Sequence, residues 1–182
     1  MVKFTCKSEA RVVGAGAVLY RINKTEQESF YEGGKMMMKK RVLFICVHNA
    51  ARSQMAEAFL KDLGAETFEV LSAGLEPTFV NPLVVEAMKE LGYDLSDNTT
   101  KSAFQFYKDG MLFDYVITVC KESIESKCPI FPGFTRRLSW GFEDPDTLRG
   151  SKEEKLEGIR RIRDEIRSKI ESWIGEFLPH QM

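Results

Sequence analysis

Residues 42–53 read Val42-Leu43-Phe44-Ile45-Cys46-Val47-His48-Asn49-Ala50-Ala51-Arg52-Ser53. The first four form an unbroken apolar run, the pattern of a central strand buried on both faces. The run stops at Cys46. Met55, Ala56, Phe59, Leu60 and Leu63 then recur at helical spacing, with Gly64 as the stop. Strand, short loop and helix start make up the opening unit of an α/β fold.

The same alternation continues outward. Phe68–Leu71 predicts a second strand closing on Ser72-Ala73-Gly74. Asn81-Pro82 supplies a cap and an N1 proline for a helix whose inner stripe is Val85, Met88 and Leu91, ahead of Gly92. Ser102–Tyr107 predicts a short helix, and Phe113–Val119 a third strand ending at Cys120. Arg137–Trp140 predicts a last, shorter strand. Ser151-Lys152-Glu153-Glu154 is a capping box opening a long helix, with Leu156, Ile159, Ile162, Ile166, Ile170, Trp173 and Phe177 on one face. The expected fold class is α/β: an open, mostly parallel four-stranded sheet flanked by helices on both faces.

Residues 1–38 stand apart. Val12–Ile22 suits a hairpin around Gly14 and Gly16, Asn23–Lys35 is polar and pattern-poor, and Met36-Met37-Met38 reads like a second beginning. The expected division is an N-terminal extension over 1–38 and one catalytic domain over 39–182. The extension is either genuine or lies upstream of a start in the methionine run.

The chain of 182 residues is 43% hydrophobic and 29% charged, which suits a globular domain with a real core. A net charge of −1 gives no global pull toward nucleic acid or an anionic membrane, so anions would need a local site. No apolar run approaches a membrane span, and residues 1–13 lack a signal-peptide block, so the expected location is cytoplasmic. Four cysteines and two histidines, with no Cys-x-x-Cys pair, make neither a disulfide scaffold nor a zinc site. No metal and no cofactor is expected.

Cys46 to Ser53 is a Cys-x5-Arg-Ser element between strand and helix. A short loop feeding a helix N-terminus can turn successive backbone N–H groups inward, with the helix dipole behind them. Val47, His48, Asn49, Ala50, Ala51, Arg52 and Ser53 are the candidate oxyanion-binding residues, and Arg52 adds a planar fork for two oxygens of a tetrahedral anion. A cysteine at such a mouth is held as thiolate, its pKa falling from ~8.5 toward ~4–7, and Ser53 can donate a hydrogen bond to it. A thiolate already formed needs no base, so His48 is read as a loop-packing residue and Asn49 as a brace bonded to its own backbone.

Cys120 ends the third strand. Strand C-termini of a parallel sheet converge on one rim, so Cys46 and Cys120 should face one crevice. Cys128 follows after Lys121–Lys127, a charged stretch that suits a short helix or a loop. Two readings stand side by side. Either Cys120 fills a strand end and Cys128 is incidental, or the three thiols form a relay in which Cys120 attacks Cys46 and Cys128 attacks Cys120. Asp144, in Glu143-Asp144-Pro145, is by itself a turn residue, although a carboxyl group over an anion site can protonate a leaving oxygen.

Val42–Leu60 (VLFICVHNAARSQMAEAFL) resembles the oxyanion loop and first helix of the thioredoxin-coupled arsenate reductases, which have the low-molecular-weight protein tyrosine phosphatase fold. The resemblance extends through Leu71–Gly74, Asn81-Pro82 with Glu86-Ala87-Met88, Thr118-Val119-Cys120, Cys128-Pro129, Trp140–Pro145 and Arg161–Ile166, from about Lys40 to Trp173. It implies a nucleophilic Cys46, an oxyanion loop ending at Arg52 and Ser53, and a relay through Cys120 and Cys128. Asp144 would help an arsenate oxygen leave, arsenite would be the product, phosphate a binding analogue, and thioredoxin the reductant. Two departures matter. Seven residues separate Cys120 from Cys128 where the family commonly has six. Some relatives bind potassium through residues matching Asn49, Glu57 and Ser72 plus an aspartate, and Lys101 stands where that aspartate would be.

Rival readings divide on the second and third thiols. A tyrosine phosphatase on this fold would use Cys46, Arg52 and Asp144 and finish with water, but it typically carries aromatic residues after Asp-Pro, where this chain has Asp146-Thr147. A non-catalytic protein binding arsenite or a soft metal through cysteines would have no use for Arg52 and the anion loop. Glutaredoxin or a small thiol could replace thioredoxin as the electron source.

Overall fold

The computed structural model describes residues 9–13, 17–21, 29–32, 35–121 and 127–177. Eight strands run β1 (Glu9–Val13), β2 (Ala17–Arg21), β3 (Ser29–Glu32), β4 (Lys35–Met38), β5 (Lys40–Cys46), β6 (Phe68–Gly74), β7 (Tyr115–Cys120) and β8 (Arg136–Phe142). The helices are α1 (Arg52–Leu63), α2 (Pro82–Lys89), α3 (Ala103–Lys108) and α4 (Lys152–Gly175), with a 3-10 turn at Pro145–Thr147. Strands β1 to β4 pair in sequence as an antiparallel sheet, so the expected hairpin is present. Contrary to the sequence reading, β3 falls inside the pattern-poor stretch and β4 takes up the methionine run.

The second sheet has the order β6-β5-β7-β8, and every pair in it is parallel. All six residues Arg41–Cys46 of β5 and all six of β7 are buried, so both faces of these two strands are covered. That is why Val42–Ile45 carries no alternation. On one face Trp173 of α4 touches Phe68, Tyr115 and Trp140, with ring centroids 5.1–5.5 Å apart. Each such fully buried large side chain stabilises by about 1.5–3 kcal/mol.

Element ends differ from the sequence reading for local reasons. β7 starts at Tyr115 rather than Phe113. Asp114 uses its carboxylate to accept the Arg41 amide at 2.8 Å and its own amide to bond Arg41 O at 2.9 Å, a side-chain-assisted turn in front of the ladder. α4 stops at Gly175, yet Phe177 still packs edge-on against Phe68, 5.2 Å between centroids. The caps are as read: Asn81 accepts from Leu83 N at 2.9 Å, and Ser151 and Glu154 form a reciprocal capping box.

With this strand order, β6 lies on one side of β5 and β7 on the other. The topological switch point therefore falls between β5 and β7, where ligands bind in open α/β sheets. The residues at the carboxyl ends of those two strands are Cys46 and Cys120.

Candidate active site

Cys46 lies at the floor of the loop and is 3% exposed. Its Sγ accepts a hydrogen bond from the Asn49 amide at 3.0 Å and lies 3.0 Å from Ser53 Oγ. The Cys120 side chain is its neighbour at the end of β7. Cys120 does most to lower the Cys46 pKa to about 6. Burial works against it, while Ser53, the Asn49 amide and the Arg52 charge add to it. Cys120 is driven far above the ordinary thiol range, first because Cys46 holds its proton and then because of burial, with Arg52 and the Val47 amide pulling the other way. The two shifts run in opposite directions, so Cys46 is the thiolate of the pair and Cys120 the thiol.

Backbone accounting explains why the loop amides are free for anions. The carbonyls of Cys46, Val47, His48 and Ala50 accept from Leu75, Glu76, Thr78 and Asn81, at 3.2, 2.8, 3.2 and 2.9 Å. Pinning the carbonyls against the 75–81 segment turns the opposite edge of the loop, its N–H groups, toward the crevice. Helix α1 has no side-chain cap at Ala51, so its first-turn amides point at the same space. His48 Nδ1 lies 3.1 Å from Glu76 O, the packing role expected of it.

The segment can approach only because residue 74 is glycine. A Cβ there would sit 2.8 Å from His48 C, 2.9 Å from Asn49 N and 2.9 Å from Val47 O. Asn49 holds the left-handed φ of 54° that the turn requires, a conformation asparagine tolerates better than most residues.

The Asn49 side chain does not bond its own backbone, as the sequence reading expected. It reaches across the loop, donating to Ser53 Oγ at 2.9 Å and Ser72 Oγ at 2.8 Å and accepting from Lys101 N at 2.8 Å and Gln54 Nε2 at 3.2 Å. Directionality follows. Ser53, receiving from Asn49, has its own proton free for Cys46. Ser72, also receiving from Asn49, donates to Glu57. Glu57 is buried, which opposes its charge. Lys101 at 2.9 Å and Lys61 at 2.5 Å nevertheless hold its carboxyl below the usual range. The Lys101 ammonium thus pairs with Glu57, the residue that matches a potassium ligand of some relatives. On the outer side of this network is an open cavity of about 720 Å³, lined by Glu57, Lys61, Lys101, Tyr93 and Asp97; Cys46 is not among its lining residues. Gln54, absent from the sequence-derived set, is fully buried and ties Asn49 to Thr99 O and Asn98. Only its place one residue after Ser53 hinted at a role.

Arg52 closes the site from the β8 side. Its Nη2 donates to Asp144 Oδ2 at 2.6 Å and its Nη1 to Phe142 O at 3.2 Å. Asp144 also caps the 3-10 turn, accepting from Asp146 N at 3.1 Å, so it is both turn residue and active-site neighbour. A register irregularity between Thr118 and Cys120 sets Phe142 opposite Cys120, carrying the end of β8 over the crevice. Cys46, Arg52, Ser53, Asp144 and Cys120 therefore meet at one place. Cys128 is buried nearby in the chain, raised by desolvation and drawn back down by contact with Arg137. Cys46, Cys120 and Cys128 are free thiols. The helix or loop expected over Lys121–Lys127 lies largely outside the described residues.

Comparison with known proteins fits this arrangement. Residues 41–181 match the low molecular weight phosphotyrosine protein phosphatase family. An arsenate reductase of Shouchella clausii is 40% identical over 137 residues, covering 75% of this chain and 96% of that protein. A solved arsenate reductase in its phosphate-binding state superposes with a TM-score of 0.62 at 33% identity, over 75% of this chain and 98% of that one. A thioredoxin-dependent arsenate reductase of Corynebacterium glutamicum gives 0.50 at 34% identity, over 73% and 62%. The chain belongs to the low molecular weight phosphotyrosine protein phosphatase family, among its arsenate reductases.

Proposed function

We propose that the chain reduces arsenate to arsenite by a relay through Cys46, Cys120 and Cys128, recycled by thioredoxin. The observation that carries this reading is a second free thiol, Cys120, at the carboxyl end of β7 beside Cys46 at the carboxyl end of β5. A phosphatase, which finishes with water, has no use for a second thiol on its nucleophile.

Cys46 Sγ attacks arsenic while the loop amides and Arg52 hold the remaining oxygens. A sulfur–arsenic bond forms, and one oxygen, protonated through Asp144, leaves as water. Arsenylation consumes the negative charge on Cys46 that kept the proton on Cys120. Cys120 then ionises in the field of Arg52 and attacks Cys46 Sγ. The S–S bond forms, the sulfur–arsenic bond breaks, and its electron pair stays on arsenic, which departs as arsenite. Cys128 next attacks Cys120 Sγ and expels Cys46 as thiolate, leaving a Cys120–Cys128 disulfide. Two thiols have supplied two electrons.

Residues 39–182 are assigned as the catalytic unit, with 1–38 as an extension. The chemistry needs all three thiols reduced, which calls for a reducing compartment such as the cytoplasm. Among the described residues no helix is long and apolar enough to cross a membrane. Arsenate and phosphate are near-isosteres, so Cys46, Arg52 and Asp144 should also support weak hydrolysis of phosphate esters.

The test is arsenate turnover with thioredoxin beside para-nitrophenyl phosphate hydrolysis, in wild type and in Cys46→Ser, Cys120→Ser and Cys128→Ser. All three substitutions should stop arsenite turnover, and only Cys46→Ser should stop ester hydrolysis. Dominant ester hydrolysis with Cys120 and Cys128 dispensable would make the protein a phosphatase.

A further inference from the structure

Asp144 can protonate an oxygen leaving arsenic only if its turn stays over the crevice. Arg52 Nη2 holds its Oδ2 at 2.6 Å, and the Asp146 amide holds its Oδ1 at 3.1 Å. Thr147 adds two bonds to Asp144 O, from its amide at 3.0 Å and from its Oγ1 at 2.7 Å. These bonds shape the turn but do not by themselves place it. Its outer side is fixed to α4. Glu143 pairs with Arg161 at 2.6 Å, and Leu148 packs on Gly158, where a Cβ would lie 2.8 Å from Leu148 Cδ1.

On the inner side, Asn81 Nδ2 donates to Asp146 Oδ1 at 3.1 Å. This bond joins the segment that follows β6 to the turn that follows β8. Those are the two edge strands of the sheet, so the bond passes over the ends of the central strands that carry Cys46 and Cys120. The rest of Asn81 is committed elsewhere. Its amide donates to Ala50 O at 2.9 Å, and its Oδ1 accepts from Leu83 N at 2.9 Å. One residue therefore ties together the loop that holds the oxyanion, the start of α2 and the turn that carries the acid. Capping uses only the side-chain oxygen, and aspartate or serine would cap α2 equally well. The amide nitrogen of Asn81 is surplus to that role.

We propose that Asn81 is a positioning residue for the proton-transfer step, holding the Asp144 turn over the oxyanion loop through Asp146. The inference rests on Asp144 donating the proton in the reductase reading. Asn81 acts at one remove: it fixes Asp146, and the Asp146 amide fixes the Asp144 carboxyl. With the bond in place the acid waits within reach of the leaving oxygen. Without it, the exposed turn is anchored on its α4 side alone and the acid spends less time in line. The bond ends on a carboxylate near water, so its loss should slow the step about tenfold rather than abolish it.

The experiment measures single-turnover arsenite release, and phosphate affinity by calorimetry, in the full chain and its variants. Asn81→Asp keeps the cap and loses the donor, while Asp146→Ala loses the acceptor without adding charge. Each should release arsenite about tenfold more slowly yet bind phosphate no more weakly, because the backbone bond from residue 81 to Ala50 O survives. The double variant Asn81→Asp/Asp146→Asn exchanges donor and acceptor and should recover most of the wild-type rate. Added to Asp144→Asn, Asn81→Asp should cost nothing further, since there is no acid left to place. Wild-type rates in both single variants overturn the proposal. So does phosphate binding that weakens in step with the rate, which would make Asn81 a brace of the anion loop. A tenfold loss added on top of Asp144→Asn, or a double variant as slow as Asn81→Asp, overturns it as well. Failure of the underlying reading looks different: Asp144→Asn would itself release arsenite at the wild-type rate, leaving Asn81 nothing to position.

Discussion

Replacing Cys120 by alanine removes the donor that does most to ionise Cys46, leaving the Asn49 amide at 3.0 Å, Ser53 at 3.0 Å and the Arg52 charge in place. A hydrogen bond to a charged group contributes about 1.5–3 kcal/mol, and 1.36 kcal/mol corresponds to one pKa unit. The Cys46 pKa should therefore rise from about 6 to between about 7 and 8. At neutral pH the thiolate fraction would fall from about 90% to about 10–50%. Cys120→Ser keeps an O–H donor at the same place and should hold the pKa close to wild type. The assay is the pH dependence of Cys46 alkylation by iodoacetamide, with Cys128→Ser in the background and the modified peptide identified by mass spectrometry. The sign is fixed: alkylation should climb with pH through about 6 in wild type and at a higher pH in Cys120→Ala. A Cys120→Ala profile superimposable on wild type, or a Cys120→Ser profile shifted as far as alanine, would refute the role given to Cys120 in ionising Cys46.

Gly74→Ala should cost about 1–3 kcal/mol in urea denaturation and weaken phosphate binding, because the added Cβ meets loop backbone rather than a flexible side chain; unaltered phosphate affinity by calorimetry would contradict this. Asp144→Asn should bind phosphate more tightly than wild type, since a carboxylate 2.6 Å from the Arg52 fork competes with any anion there. The same variant should lose about 10²–10⁴ in single-turnover arsenite release if Asp144 donates a proton. Lys101→Met should destabilise the fold by about 1–3 kcal/mol at pH 7, since Glu57 loses a charged hydrogen-bond partner at 2.9 Å but keeps Lys61 at 2.5 Å. The gap to wild type should narrow as pH falls, because the Glu57 carboxyl is held below 4.5 in the folded state and its contribution is present above that value and lost on protonation. Parallel stability curves in urea from pH 7 down to 3.5 would remove Lys101 from the account.

Much of the site could be read in the chain because its parts are close in sequence. A buried strand, a cysteine, five residues, Arg52-Ser53 and a helix leave little freedom in where the loop amides point. Contributions that cross the fold could not be read in this way. Asn49 looked like a self-bracing turn residue, and only the tertiary structure brings Ser72, Gln54 and Lys101 around its amide. The rim argument placed Cys120 in the right crevice. It could not say how strongly Cys120 favours the Cys46 thiolate, which depends on how far each strand runs. Asp114 shortened β7 by replacing a ladder bond with its side chain, which propensity does not encode.

The central claim is that electrons reach arsenic from Cys46 and Cys120 and are made good by Cys128. Single-turnover arsenate reduction without any reductant, followed by acid quench and disulfide mapping by mass spectrometry, tests it most directly. The account predicts one arsenite per wild-type chain with a Cys120–Cys128 bond, a Cys46–Cys120 bond in Cys128→Ser, and no arsenite from Cys120→Ser. Arsenite released at the wild-type rate by Cys120→Ser, or a wild-type product with all three thiols still free, would contradict it.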